Sequence, residues 1–274
     1  MKTVAALTYF PPGLLPLISS FIGADSILVA GGNDQNAITV ASAMCYSLET
    51  STWRTDVPSM SIPRWGSTTV AIGGRMMVFG GRDDKCVCLA TCEAFDLVTK
   101  AWTALPSMSV SRFGACGVAF QGRAFIFGGY DAVRGMTTSA ECFDSTLNRW
   151  SAIAPMPTMR FRAVAVALAG RGVIVMGGID TKDVTMQSAD LYDPTTNQWE
   201  AMTWQLPKPL SRLVAYCVDS VLYVGSTINE WWSLDLSAVA PVWLSLSSQL
   251  TATAIDGLAL AVDSPIFLNS FPLF

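Results

Sequence analysis

Four runs along the chain are apolar at every position: Ile27-Leu28-Val29-Ala30, Met76-Met77-Val78-Phe79, Ala124-Phe125-Ile126-Phe127 and Val173-Ile174-Val175-Met176. Each is one strand long and offers no polar face, the pattern of a strand covered on both sides. Each run ends in a glycine pair: Gly31-Gly32, Gly80-Gly81, Gly128-Gly129 and Gly177-Gly178. Fourteen residues past the second glycine stands Tyr46, Phe95, Phe143 or Tyr192, and seven further on stands Trp53, Trp102, Trp150 or Trp199. Successive units lie 48 or 49 residues apart, so the chain is an array of one repeated supersecondary unit.

A second strand fits in front of each apolar run, in the eleven residues from Arg64 to Arg75, Arg112 to Arg123 and Arg160 to Arg171. The pair reads as a hairpin turning at Gly73-Gly74, Gln121-Gly122 or Ala169-Gly170. The leading strand is rich in small residues, such as Gly66-Ser67-Thr68 and Gly114-Ala115-Cys116, which suits the narrow axis of a closed radial architecture. Asp-led turns, at Asp96, Asp144 and Asp193, separate the ring strand from the Trp strand. Four antiparallel strands per unit, with buried aromatics wedged between neighbouring sheets, make an all-β propeller blade.

The Arg, Gly-Gly, Tyr/Phe and Trp positions, in this order and at this spacing, resemble the kelch-repeat β-propeller family, over roughly residues 15 to 264. The resemblance implies a single six-bladed kelch-type propeller over residues 1–274, with repeats at about 15–63, 64–111, 112–159, 160–211 and 212–250. The fifth repeat, Arg212 to Trp243, has Ser226 for the second glycine and Leu234 for the ring. The sixth is expected to close from residues 251–274 together with 1–14, although Asp263-Ser264 replaces its glycine pair and it lacks a Trp strand of its own.

Composition narrows the function. Charged residues are only 14%, and the net charge of -4 comes with no Lys/Arg run, which gives no support for a nucleic-acid or anionic-membrane partner. Residues 3–24 carry no charge, but Pro11, Pro12 and Pro16 oppose a helix and residues 18–30 align with the later hairpins. The segment therefore reads as propeller rather than targeting sequence, and the expected location is the cytoplasm.

The chain has no histidine, which removes Ser-His-Asp and Cys-His catalysis and His-based metal sites. Kelch copper oxidases of the galactose oxidase type need His ligands, and the E-x3-D-x3-D run of the iron-dependent plant specifier proteins is absent. Seven cysteines are an odd number, so at least one is free unless it bonds another molecule. Cys86-Val87-Cys88 with Cys92 is a local cluster without C-x2-C zinc spacing, and no metal or cofactor is expected. Acid pairs recur at Glu93/Asp96, Glu141/Asp144 and Asp190/Asp193. A catalytic dyad is needed once and a structural device once per blade, so these read as structure. The Asp-led turns are expected to pair with Arg75, Arg123 and Arg171, and the repeated Arg64, Arg112, Arg160 and Arg212 to brace neighbouring blades.

In the kelch-like adaptors that this chain resembles, the residue after Gly-Gly and those just after the repeated Arg line a partner pocket at one mouth of the ring. Carried over, the first set is Asn33, Arg82, Tyr130 and Ile179, and the second is Trp65, Phe113, Phe161 and Leu213. Arg162 stands where other blades have Gly66 and Gly114. Those adaptors often carry Ser after the Arg, whereas large rings stand here, which implies a more apolar pocket rimmed by Arg82, Tyr130 and Arg162. The expected function is a non-catalytic protein-interaction module, in the manner of ubiquitin-ligase substrate receptors. Two alternatives stand beside it: a sugar mutarotase-type enzyme drawing on Asp83, Asp84, Asp131 and Asp180, and actin binding.

Overall fold

The computed structural model describes residues 26–246 apart from 35, 48–49, 51, 55 and 227–229. Every strand or helix assigned among these residues is a strand. The first sheet comprises β1 (Ser26–Ala30), β2 (Ala43–Ser47) and β3 (Thr52–Arg54). The second comprises β4 (Thr68–Ile72), β5 (Arg75–Phe79), β6 (Cys92–Asp96) and β7 (Ala101–Leu105). The third has β8 (Cys116–Phe120), β9 (Arg123–Phe127), β12 (Ala140–Asp144) and β13 (Arg149–Ile153), with the ribbon β10 (Tyr130–Asp131) and β11 (Gly135–Met136) between its middle strands. The fourth has β14 (Val164–Leu168), β15 (Gly172–Met176), β16 (Ala189–Asp193) and β17 (Gln198–Ala201). The fifth has β18 (Val214–Val218), β19 (Val221–Gly225), β20 (Trp231–Asp235) and β21 (Leu244–Ser245). All pairings are antiparallel between strands adjacent in the blade, and β4, β8, β14 and β18 lie side by side.

Among the described residues these are five blades, four of them four-stranded, where six were expected. The sixth rested on residues 251–274 and 1–14, which lie outside the described residues and lack the glycine pair and second aromatic that shape the others. The leading strand expected for the first blade, from about residue 18, likewise lies outside the described residues.

Alternation explains why the second strand of each hairpin is apolar on both faces. Met76 and Val78 pack toward the first blade with Leu28 and Met60, while Met77 and Phe79 pack toward the third with Ala124 and Ile126. Phe125 and Phe127 then meet Val173 and Val175, and Ile174 and Met176 meet Leu222 and Val224. The core is thus a series of inter-blade layers.

The repeated Trp residues, expected to be buried, are half-buried on the outer strands. Trp150 packs on Phe143 of its own blade at 5.1 Å and on Phe79 of the preceding one at 5.3 Å; Trp199 does the same with Tyr192 and Phe127. Their indole N–H groups donate to carbonyls of the preceding inter-blade segment: Trp102 to Pro58 (2.6 Å), Trp150 to Pro106 (2.8 Å) and Trp199 to Ala154 (3.0 Å). A donor tied at its polar tip explains why an indole serves at the blade rim.

Three arginines brace the blades. The Arg112 backbone belongs to the second blade, where its carbonyl accepts from Gly81 N and its N–H donates to Leu89 O. Its buried guanidinium enters the third blade and donates to Gly128 O, Ser139 O and Glu141 Oε1. Arg64 does the same with Gly80 O, Thr91 O and Glu93, and Arg160 with Gly177 O, Ser188 O and Asp190. The glycine pair is part of this joint, since a Cβ on Gly80 would lie 2.5 Å from the Arg112 carbonyl.

Arg212 is not the fourth brace. Leu210 holds that place, accepting at its carbonyl from Gly178 N as Arg112 accepts from Gly81. The acid pairs also divide by role. Glu93, Glu141 and Asp190 bind the braces, while Asp96 and Asp144 accept from turn amides and pair with half-exposed Arg75 (3.3 Å) and Arg123 (3.2 Å). No helix among the described residues is long and apolar enough to cross a membrane.

Candidate functional site

The hairpin turns and the Asp-led turns share one end of each blade, so the loops after the glycine pairs and those carrying the braces share the other. At this mouth the two loop sets pair: Trp65 with Arg82, Phe113 with Tyr130 and Phe161 with Ile179, each through a short antiparallel bridge.

The side chains converge. The Arg82 guanidinium lies 4.5 Å from the Phe113 ring centre and 5.3 Å from that of Tyr130. Arg162 lies 4.7 Å from Phe161 and 5.8 Å from Phe113. Trp65 meets Phe113 edge-on at 4.4 Å, Phe113 meets Phe161 at 5.3 Å and Phe161 meets Tyr130 at 6.5 Å. Six of the seven residues expected to bind a partner therefore form one cationic-aromatic cluster spanning three blades. Phe113, only 4% exposed, forms its floor, while Trp65, Arg82, Tyr130, Phe161 and Arg162 are half-buried around it. Asn33 stands apart in the first blade, accepting from the Thr39 hydroxyl at 3.0 Å.

Backbone geometry places Arg162. Gly114 N donates to Gly66 O, Arg162 N to Gly114 O and Arg212 N to Arg162 O, at 2.9, 2.9 and 3.0 Å, which links successive blades across the mouth. All four residues have left-handed backbone, with φ of 59°, 61°, 57° and 53° for Gly66, Gly114, Arg162 and Arg212. A Cβ on Gly66 would lie 2.3 Å from the Phe113 ring, and one on Gly114 would lie 2.3 Å from Phe161. The next blade has Ser211 in place of a ring, which leaves room for a side chain on residue 162.

Arg212 thus joins Arg162 at the mouth, a member that the sequence reading misassigned. The corresponding pocket residue is Ser211, while Leu213 is buried in the layer between the fourth and fifth blades. The missed signal was the apolar plug four residues before each brace, Met60, Met108 and Met156, which continues to Leu206 and so points to Leu210.

Four of the mouth carboxylates bind backbone amides, whereas Asp84 is exposed beside Asp83. Asp34 accepts from Asn36 N and Ile38 N, Asp83 from Lys85 N and Val87 N, and Asp180 from Lys182 N and Val184 N. Asp131 accepts from Val133 N, Arg134 N and the Ser111 hydroxyl, and the hydroxyl bond first, then the amides, holds its carboxyl below the usual range.

None of the seven cysteines is in a disulfide. Burial pushes the Cys92 thiol up to about 12 and Cys142 up to about 11, whereas Cys86 is exposed. Cys88 Sγ accepts from Arg82 Nε at 3.4 Å, which helps to set the guanidinium. Among the described residues no group of three or more Cys, Asp or Glu side chains could hold a metal ion.

Radial four-stranded sheets with Arg braces and glycine-paired mouth loops define a repeat propeller. The model of the KLHDC2/KLHL20/DRC7 Kelch-repeats domain matches residues 19–226, and the chain belongs to the kelch-repeat family. The solved structure of YjhT is similar over 75% of this chain and 73% of that one, with 14% sequence identity and a TM-score of 0.59, a likeness of fold. No curated protein matches the chain.

Proposed function

We propose that the protein is a non-catalytic interaction module that docks a peptide or loop at the mouth formed by the second, third and fourth blades. The observation that carries this reading is the convergence of Arg82, Tyr130, Phe161 and Arg162 over the Phe113 floor. Arg and aromatic side chains dominate binding hot spots, and a guanidinium held on a ring meets carboxylate or carbonyl groups with little entropy left to lose. Backbone amides cap Asp83, Asp131 and Asp180, which leaves Asp84 as the one uncapped acid of the four, and a single exposed carboxylate favours docking over acid-base turnover of a sugar, which calls for convergent groups. Service as the substrate-recognition subunit of a ubiquitin ligase is one use of such a mouth.

Affinity capture with the full chain tests the proposal. Partners recovered with wild type are expected to be lost with Arg82→Ala plus Arg162→Ala, at an unchanged melting temperature. Equal recovery by both proteins would remove this face from consideration.

A further inference from the structure

The turns that present the mouth loops have one more shared feature. In the first, second and fourth blades, an Asp two residues past the glycine pair caps two amides, and the residue three further on takes left-handed backbone: Ala37, Cys86 and Asp183, with φ of 60°, 61° and 62°. The next residue is a β-branched aliphatic, Ile38, Val87 or Val184, and it is 58%, 52% and 55% exposed. The third blade builds its loop differently, as the β10–β11 ribbon, and still exposes Val133 at 91%.

Single exposed aliphatics are ordinary on protein surfaces. At the mouth there are four of them, one at the loop tip of each of four successive blades, whereas the Asp-led turns at the opposite end expose an aliphatic in two, at Val98 and Leu147. In the three like turns the cap engages the backbone N–H of the aliphatic residue, so the fold would accept a polar side chain at the same cost.

We infer that Ile38, Val87, Val133 and Val184 form an apolar collar that grips the partner beside the Arg-aromatic cluster. The inference rests on the docking function proposed above and specifies its ligand: a peptide loop with a carboxylate side chain for Arg82 and Arg162, flanked on both sides by branched aliphatic or aromatic residues. Charge complementarity to the arginines sets the centre of that pattern, and the collar sets its flanks. Side chains held on capped turns lose little freedom on binding, which favours their use as contacts.

Panning a displayed random-peptide library on the full-length protein tests this, followed by titration of one selected synthetic peptide. The selected peptides are expected to share Asp or Glu between apolar residues. Ile38→Ser, Val87→Ser and Val184→Ser combined should weaken the peptide by about tenfold or more, the scale of a few lost interface contacts. The melting temperature should hold, because these side chains are exposed. Binding of the triple variant within about twofold of wild type, together with loss in Arg82→Ala plus Arg162→Ala, would refute the collar and leave the docking mouth standing. Selected peptides that neither variant weakens, or no selected peptide at all, would overturn both.

Discussion

At residue 66 there is no room for a methyl group, and at residue 162 there is room for an arginine. The difference lies in the ring supplied by the following blade, Phe113 in one case and Ser211 in the other. Gly66→Ala should therefore destabilise by about 2 to 4 kcal/mol through overpacking and a left-handed backbone. The same change in a Phe113→Ser background should cost at least about 1 kcal/mol less, and equal costs in urea denaturation would contradict this packing. Thiol reactivity is also set residue by residue. Burial raises Cys92 and Cys142 out of the reactive range, while Cys86 sits exposed on a loop tip. Ellman's reagent should find a fast-reacting thiol that Cys86→Ser removes, and a fast phase surviving that change would count against the assignment.

Turns and strands show what could be read from the chain and what could not. Hairpins, glycine pairs and Asp-led turns are local devices, so residues close in sequence reveal them. The Asp-led turns carry a pH signature as well. Amides of Val98 and Thr99 hold Asp96 below the usual carboxylate range, amides of Leu147 and Thr146 hold Asp144 there, and Thr195 and Thr196 hold Asp193. A folded pKa below the unfolded one stabilises above the ordinary carboxylate value, about 4, and the gain is lost as pH falls through the folded value. Urea midpoints should accordingly fall with pH below about 4, and Asp96→Asn with Asp144→Asn should flatten that slope. An unchanged slope would mean that the acid transition starts elsewhere. The site was half legible: the cluster residues follow recognisable marks, but the fifth register did not, because Arg212 offered an arginine two residues past the true position at Leu210.

At the scale of the molecule, one joint among the described residues departs from the pattern, and it shows what the braces contribute. Three interfaces bury an ion pair: Arg64–Glu93 at 2.8 Å, Arg112–Glu141 at 3.0 Å and Arg160–Asp190 at 2.7 Å. In the fifth blade Leu210 occupies the arginine position and Trp232, second residue of its strand like Glu93, occupies the acid position; both sit in one apolar layer with Leu206 and Leu222. Both partners changed together, as expected where either charge alone would be buried without its counter-ion. Burial already lowers the Arg112 pKa, the mark of an unfavourable setting for charge. Arg112→Leu alone should cost about 3 to 5 kcal/mol, since Glu141 is then left uncompensated. Adding Glu141→Leu should recover at least about 2 kcal/mol of that. The recovery should be incomplete, because the carbonyls of Gly128 and Ser139 lose the guanidinium that now serves them. Urea denaturation of the two single variants and the double variant measures the coupling. Additive costs would mean that charge compensation is not what links the two positions, and the matched change at Leu210 and Trp232 would then need another origin.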